Sequence, residues 1–220
     1  MLNSYNILII SLFIFWGAVS VTHLVSQYFR DSLIRKITKG FLIPPLLVLY
    51  CLYAAENSHP VLAVIAAAVF GWIGDVLLIK ITEKKYFLFG LAAFLLGHVC
   101  YVIAMTGKIT VLNSTALIIS IAASIPLGII TFILIRPDKA MRIPVLLYEM
   151  VIITMSISAL QLLFLYPRGA VIFTGSVFFL VSDLSLAWGT FRGFPKWGNF
   201  LVMATYIIGQ ALILLGMAGI

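Results

Sequence analysis

At 220 residues, 63% of them hydrophobic and only 10% charged, with a mean hydropathy of +1.19, the chain lies far outside soluble globular composition, in which apolar residues make up about 45 to 50%. A soluble fold is excluded, and a polytopic membrane protein remains. The net charge of +7 would suggest nucleic acid in a soluble protein. Here its placement between apolar runs reads as membrane topology, so no nucleic-acid partner is expected.

Apolar runs at 5–28, 41–55, 61–79, 86–106, 113–135, 143–165, 169–191 and 198–219 predict eight transmembrane helices, the second of them short. At 1.5 Å per residue such runs cover a hydrocarbon core about 30 Å thick. The connections are too brief for a soluble domain, so the expected architecture is all-α, a single helical bundle over 1–220. The first run lacks a basic leader and is too long for a signal-peptide core, so it reads as a membrane helix.

Arg30, Arg35, Lys36, Lys39, Lys80, Lys84, Lys85, Arg136, Lys139, Arg142, Arg192 and Lys196 fall after odd-numbered runs, and only Lys108 and Arg168 after even ones. The positive-inside rule then places both termini outside and the odd connections in the cytoplasm, as for a multi-pass protein of the cytoplasmic or inner membrane if the source is bacterial. These cations also suit contacts with anionic lipid. Cys51 and Cys100 lie inside apolar runs, where a thiol behaves as a small hydrophobe, and no disulfide is expected.

That orientation gives each polar residue an approximate depth. His23 and Gln27 lie one turn apart near the inner end of the first helix, as an interhelical hydrogen-bonding pair or as part of a polar cavity. Lys39 precedes Pro44-Pro45, which must disturb the first turns of the second helix; its ammonium either snorkels or binds phosphate. The third helix carries Asp75 late in its course, beside Gly71 and Gly74, which permit a close neighbour.

The fourth helix sets Phe94, His98 and Tyr101 along one stripe. The fifth looks like scaffold, with a kink expected at Pro126-Leu127-Gly128. Tyr148 and Glu149 follow in the sixth, one able to face a cavity while the other packs or pairs with a cation. Asp183 lies beside Ser182 in the seventh, and Asn199, Tyr206 and Gln210 share a face of the eighth. An ionised Asp deep in a membrane helix costs at least about 2.5 kcal/mol on insertion scales, so two of them need a function. His23, Lys39, Asp75, Tyr148, Asp183 and Tyr206 all fall in the cytoplasmic half, with His98 and Gln210 near its upper limit.

There is also an internal echo. Ile43-Pro44-Pro45-Leu46-Leu47 resembles Ile143-Pro144-Val145-Leu146-Leu147, Phe70 to Asp75 resembles Phe178 to Asp183, and Gly97-His98 corresponds to Gly209-Gln210. The shared direction across the membrane fits a four-plus-four parallel duplication with repeats 1–107 and 108–220.

The segments Gly74-Asp75, Phe89 through Tyr101 with its Gly97-His98 core, Tyr148 followed by Met155, Gly169-Ala170 with Phe173, Ser182 through Ala187, and Tyr206 with Gln210 to Ile213 resemble the YhhN family. This family is also called the TMEM86 or lysoplasmalogenase family. The likeness spans nearly the whole chain and departs at Thr38-Lys39-Gly40, where the family favours proline after the lysine.

The resemblance implies an ether hydrolase. It would split the vinyl ether of lysoplasmalogen into a fatty aldehyde and glycerophosphoethanolamine or glycerophosphocholine, with a lysophospholipid as partner and no cofactor. Such chemistry needs one protonated acid and one anion, the logic of paired carboxylates in glycosidases. Asp75, Asp183, His98 and Tyr206 are the catalytic candidates. Lys39, Tyr101, Tyr148, Glu149, Ser182, Gln210 and His23 are the candidates for substrate binding. Asp183, set in the deeper and more apolar position, is expected to be the acid and Asp75 the anion.

Three rivals bear comparison. A zinc hydrolase would need more histidines than His23, His59 and His98, of which His59 lies in an outer connection, so no metal is expected. A proton-coupled lipid or small-molecule transporter would use intramembrane Asp and His equally well, but its polar groups should reach both faces, whereas here they stop near the midplane. A non-catalytic lipid-binding or assembly protein is the third reading, which aldehyde release from lysoplasmalogen would separate from an ether hydrolase.

Overall fold

The computed structural model describes residues 4–29, 33–57, 59–80 and 83–220, and Arg30 of the basic set lies outside them. The described residues form the helices α1 (Ser4–Ser26), α2 (Leu33–Gly40), α3 (Pro44–Asn57), α4 (Leu62–Leu77), α5 (Lys84–Thr106), α6 (Ser114–Ile135), α7 (Arg142–Leu165), α8 (Gly169–Arg192) and α9 (Gly198–Met217). A short 3₁₀ turn, Leu78–Lys80, prolongs α4. Eight spans are long and apolar enough to cross a membrane, with α2 and α3 together making the second. The chain is an all-α polytopic membrane protein.

Most helix ends fall within a few residues of the apolar runs. The second span differs: it begins at Leu33 and is broken into α2 and α3 at Phe41–Ile43. The break follows from Pro44-Pro45, which lack backbone donors and so open a helix readily but cannot continue one. In α2 the apolar side chains Leu33, Ile34 and Ile37 are exposed on one face, while Arg35, Lys36 and Lys39 line a cavity on the other.

α6 runs unbroken through Pro126 and starts at Asn113, whose side chain accepts from Ala116 N at 2.9 Å, a regular N-cap. α8 stops at Gly193, whose φ of 94° favours glycine. The turn folds Phe194 back so that a Cβ on Gly189 or Gly198 would run into its ring.

The closest packing joins α8 to α9 and α4 to α5. α9 is the central helix, with 67% of its spanning window buried against 17% for α1 and for α6. The outer helices present Ile and Leu to their surroundings, as Ile118, Ile125, Ile129 and Ile133 do on α6. In water such a surface would be an association patch; in lipid it matches its solvent. Cys51 and Cys100 are free thiols.

Candidate active site

Asp75 is 1% exposed and arrives on the glycine-bearing face of α4. A Cβ on Gly71 would lie 2.9 Å from Gln210 Nε2, and one on Gly74 would lie 2.7 Å from the Phe94 ring. These glycines therefore let α9 and α5 approach the carboxylate. Tyr206 donates its hydroxyl to Asp75 Oδ2 at 2.7 Å, and Lys39 Nζ stands 3.7 Å from Oδ1. Both oxygens are thus engaged, one by a phenol and one by an ammonium.

Polar ties to the residues on either side of Lys39, at the C-terminal end of α2, hold it there. His23 Nδ1 is 2.9 Å from Thr38 Oγ1, and Gln27 Nε2 is 2.9 Å from His23 Nε2. An amide donor at Nε2 leaves the proton on Nδ1, which donates to Thr38. On the other side of Lys39, Trp72 Nε1 donates to Gly40 O at 2.8 Å.

Asp183 is bound differently. Tyr148 donates to Oδ2 at 2.7 Å, and His98 Nε2 lies 3.5 Å from that same oxygen. Among the described residues nothing bonds to Oδ1, and the side chain is 12% exposed, against 2% for that of Asp75. His98 is buried, and neither ring nitrogen has a hydrogen bond of good geometry. Buried polar groups are nearly always satisfied, so an unsatisfied imidazole beside a carboxylate needs an explanation.

Edge-to-face ring contacts run from Tyr148 to His98 at 5.4 Å, on to Phe179 at 4.8 Å and on to Tyr206 at 5.4 Å. A rigid aromatic chain therefore spaces the two carboxyl groups.

Two cavities meet at Asp183. The first has both aspartates in its wall together with His23, Arg35, Lys36 and Lys39. The second runs between α5, α7 and α8 past the end of α6 and is walled mainly by carbon. Asp183 lines both.

Of the residues singled out from sequence, His23, Lys39, Asp75, Ser182, Asp183 and Tyr206 line the first cavity. The Ser182 hydroxyl donates to Val202 O at 2.9 Å, which fixes α8 to α9. Tyr148 and Glu149 line the second cavity. Glu149 accepts from the Thr131 hydroxyl across α6 and has no cation beside it among the described residues. Tyr101 donates to Gln210 Oε1 at 2.6 Å, and both line a small space shared with His98.

Arg35, Lys36, Gln27 and Asn199 also line the first cavity and were not chosen as site residues. The signal for the first two was present: positions 35, 36 and 39 share one helical face. Among the described residues no three His, Cys, Asp or Glu side chains converge as a metal site requires.

Fold and site together define a multi-pass membrane protein with two carboxyl groups facing one buried polar cavity. Residues 34–217 match the model of the YhhN family, and the chain belongs to that family. It is 30% identical over 143 residues to Lysoplasmalogenase TMEM86B of Mus musculus, a match that covers 65% of this chain and 58% of the mouse protein. The chain thus spans less than two thirds of that relative's length. No solved structure matches it.

Proposed function

We propose that this protein is a membrane-embedded hydrolase that cleaves the vinyl ether bond of a lysoplasmalogen. The products are a fatty aldehyde and glycerophosphoethanolamine or glycerophosphocholine. The observation that carries this reading is the unequal dressing of two carboxyl groups in one cavity. Asp75 sits between an ammonium and a phenol donor, the setting of an anion, whereas Asp183 keeps one oxygen open to the cavity.

In this mechanism Asp183 Oδ1 carries a proton and transfers it to the alkenyl carbon remote from the ether oxygen. The positive charge develops on the adjacent carbon and its oxygen, facing carboxylate Asp75 with Tyr206 behind it. Water adds to that carbon and gives up one proton to the carboxylate left on Asp183. The resulting hemiacetal then collapses to the aldehyde and a glycerol hydroxyl. No hydride, electron or activated group enters. This is the two-carboxylate chemistry of glycosidases, where a positioned acid typically contributes 10² to 10⁴ in rate.

The two cavities suit the two ends of such a substrate. Arg35, Lys36 and Lys39 offer the first cavity a phosphate site, the carbon-walled second one suits an aliphatic chain, and the scissile bond falls between them at Asp183. The family relationship and the name of the mouse relative support the same chemistry.

The mouth of the first cavity lies at the bundle end that carries most of the basic residues, which supports an outside position for both termini and a cytoplasmic opening. The four-plus-four duplication is supported by the pairing of α4 with α5 and of α8 with α9. Asp75 on α4 is bonded from α9, and Asp183 on α8 is approached from α5.

Purified protein incubated with a lysoplasmalogen should release fatty aldehyde, and with the 1-acyl lysophospholipid of equal chain length it should release no fatty acid. Release of fatty acid, or no aldehyde from folded protein, would refute the proposal.

A further inference from the structure

The second cavity holds a polar feature that vinyl ether cleavage does not use. Glu149 is 8% exposed; Oε1 accepts the Thr131 hydroxyl, and no described residue bonds to Oε2. The other polar lining groups are already engaged: Tyr148 donates to Asp183, and Thr190 donates to Leu186 O at 2.8 Å. Phe87, Leu91, Ile135, Val145, Ile152 and Leu180 make much of the remaining wall, and no Lys, Arg or His lines it. The available polar atoms are therefore the oxygens of two carboxyl groups in a carbon-walled cavity without a counter-cation. The first cavity is its electrostatic opposite, with Arg35, Lys36 and Lys39 in its wall.

We propose that the second cavity binds single-chain aliphatic amines, the tail along the carbon wall and the nitrogen held by Asp183 and Glu149. On entry one carboxyl group gives its proton to the neutral amine, forming an ammonium carboxylate, while the other stays protonated and accepts a hydrogen bond. The pair is neutral overall, which removes the penalty of an isolated charge in an apolar site. An alcohol of equal length fills the same space but forms no ion pair, and a sulfate meets only acid groups. Binding is tested without substrate and does not rest on the proposed hydrolase activity.

The test measures equilibrium binding of hexadecylamine and of 1-hexadecanol to the full chain in nanodiscs of neutral lipid, with empty nanodiscs subtracted. The amine should bind at least about tenfold more tightly than the alcohol, the scale of a charge-assisted hydrogen bond. Glu149→Gln keeps an oxygen for Thr131, and Asp183→Asn keeps the shape; each should remove most of that preference and leave alcohol binding in place. Lys39→Met, in the other cavity, should leave the preference intact. Equal binding of amine and alcohol by the wild-type protein overturns the proposal even if a variant fails to fold. So does a preference that survives both carboxyl substitutions.

Discussion

Asp75 and Asp183 occupy similar places on α4 and α8, four helices apart in the chain, yet their carboxyl groups are held differently. Asp75 is closed in: Tyr206 bonds one oxygen, Lys39 stands by the other, and the side chain is 2% exposed. Asp183 is held on one edge only, with Tyr148 and His98 converging on the same oxygen and the other left to the cavity. In the proposed mechanism, which oxygens the fold occupies is what separates the anion from the acid. Depth and apolar surroundings, read from sequence, point to the same assignment.

The comparison can be broken at the acid first. In the proposed mechanism Asp183→Asn removes the transferable proton but keeps size and hydrogen bonding, so the turnover of lysoplasmalogen should fall by about 10² to 10⁴. Substrate affinity should change much less. Asp75→Asn should lower turnover by about 10², because it takes away charge that stabilises a cation and not the proton itself. Near wild-type turnover in either folded variant would reassign that residue.

Smaller effects sharpen the contrast. Tyr206→Phe and Tyr148→Phe each remove one hydrogen bond to a carboxyl group, an interaction of about 1.5 to 3 kcal/mol when charged, so turnover should drop by about tenfold or somewhat more. A Tyr206→Phe protein with unchanged kcat would show that the tyrosine only packs.

Lys39→Met should act mainly on the Michaelis constant, raising it by about fivefold to tenfold through loss of one phosphate contact. The same variant tested on an alkenyl glycerol without phosphate should show little of that increase. An equal rise for both substrates would place Lys39 with Asp75 alone.

The spans were legible because hydropathy and length are properties of single helices. Their break at Phe41–Ile43 was half legible: Pro44-Pro45 announced a disturbance, but α2 itself is too amphipathic to register as membrane, and its cations read as topology signals. Asp75, Asp183 and His98 stood out as ionisable groups inside apolar runs. What they bond to was not legible, since Tyr206 reaches Asp75 across 131 residues and the neighbours of a membrane helix do not follow from hydropathy. The second cavity was invisible for a related reason: apart from a few polar groups its wall is ordinary apolar residues from four helices.

Hydrolysis carried out once in D₂O and once in water enriched in ¹⁸O, with both products analysed by mass spectrometry, tests proton delivery to carbon most directly. The expected result is aldehyde with one deuterium on the carbon next to the carbonyl, and a glycerophospho head group whose hydroxyl oxygens contain no ¹⁸O. Aldehyde without deuterium, or ¹⁸O in the freed glycerol hydroxyl, would contradict protonation of the vinyl ether by a carboxyl group in this cavity.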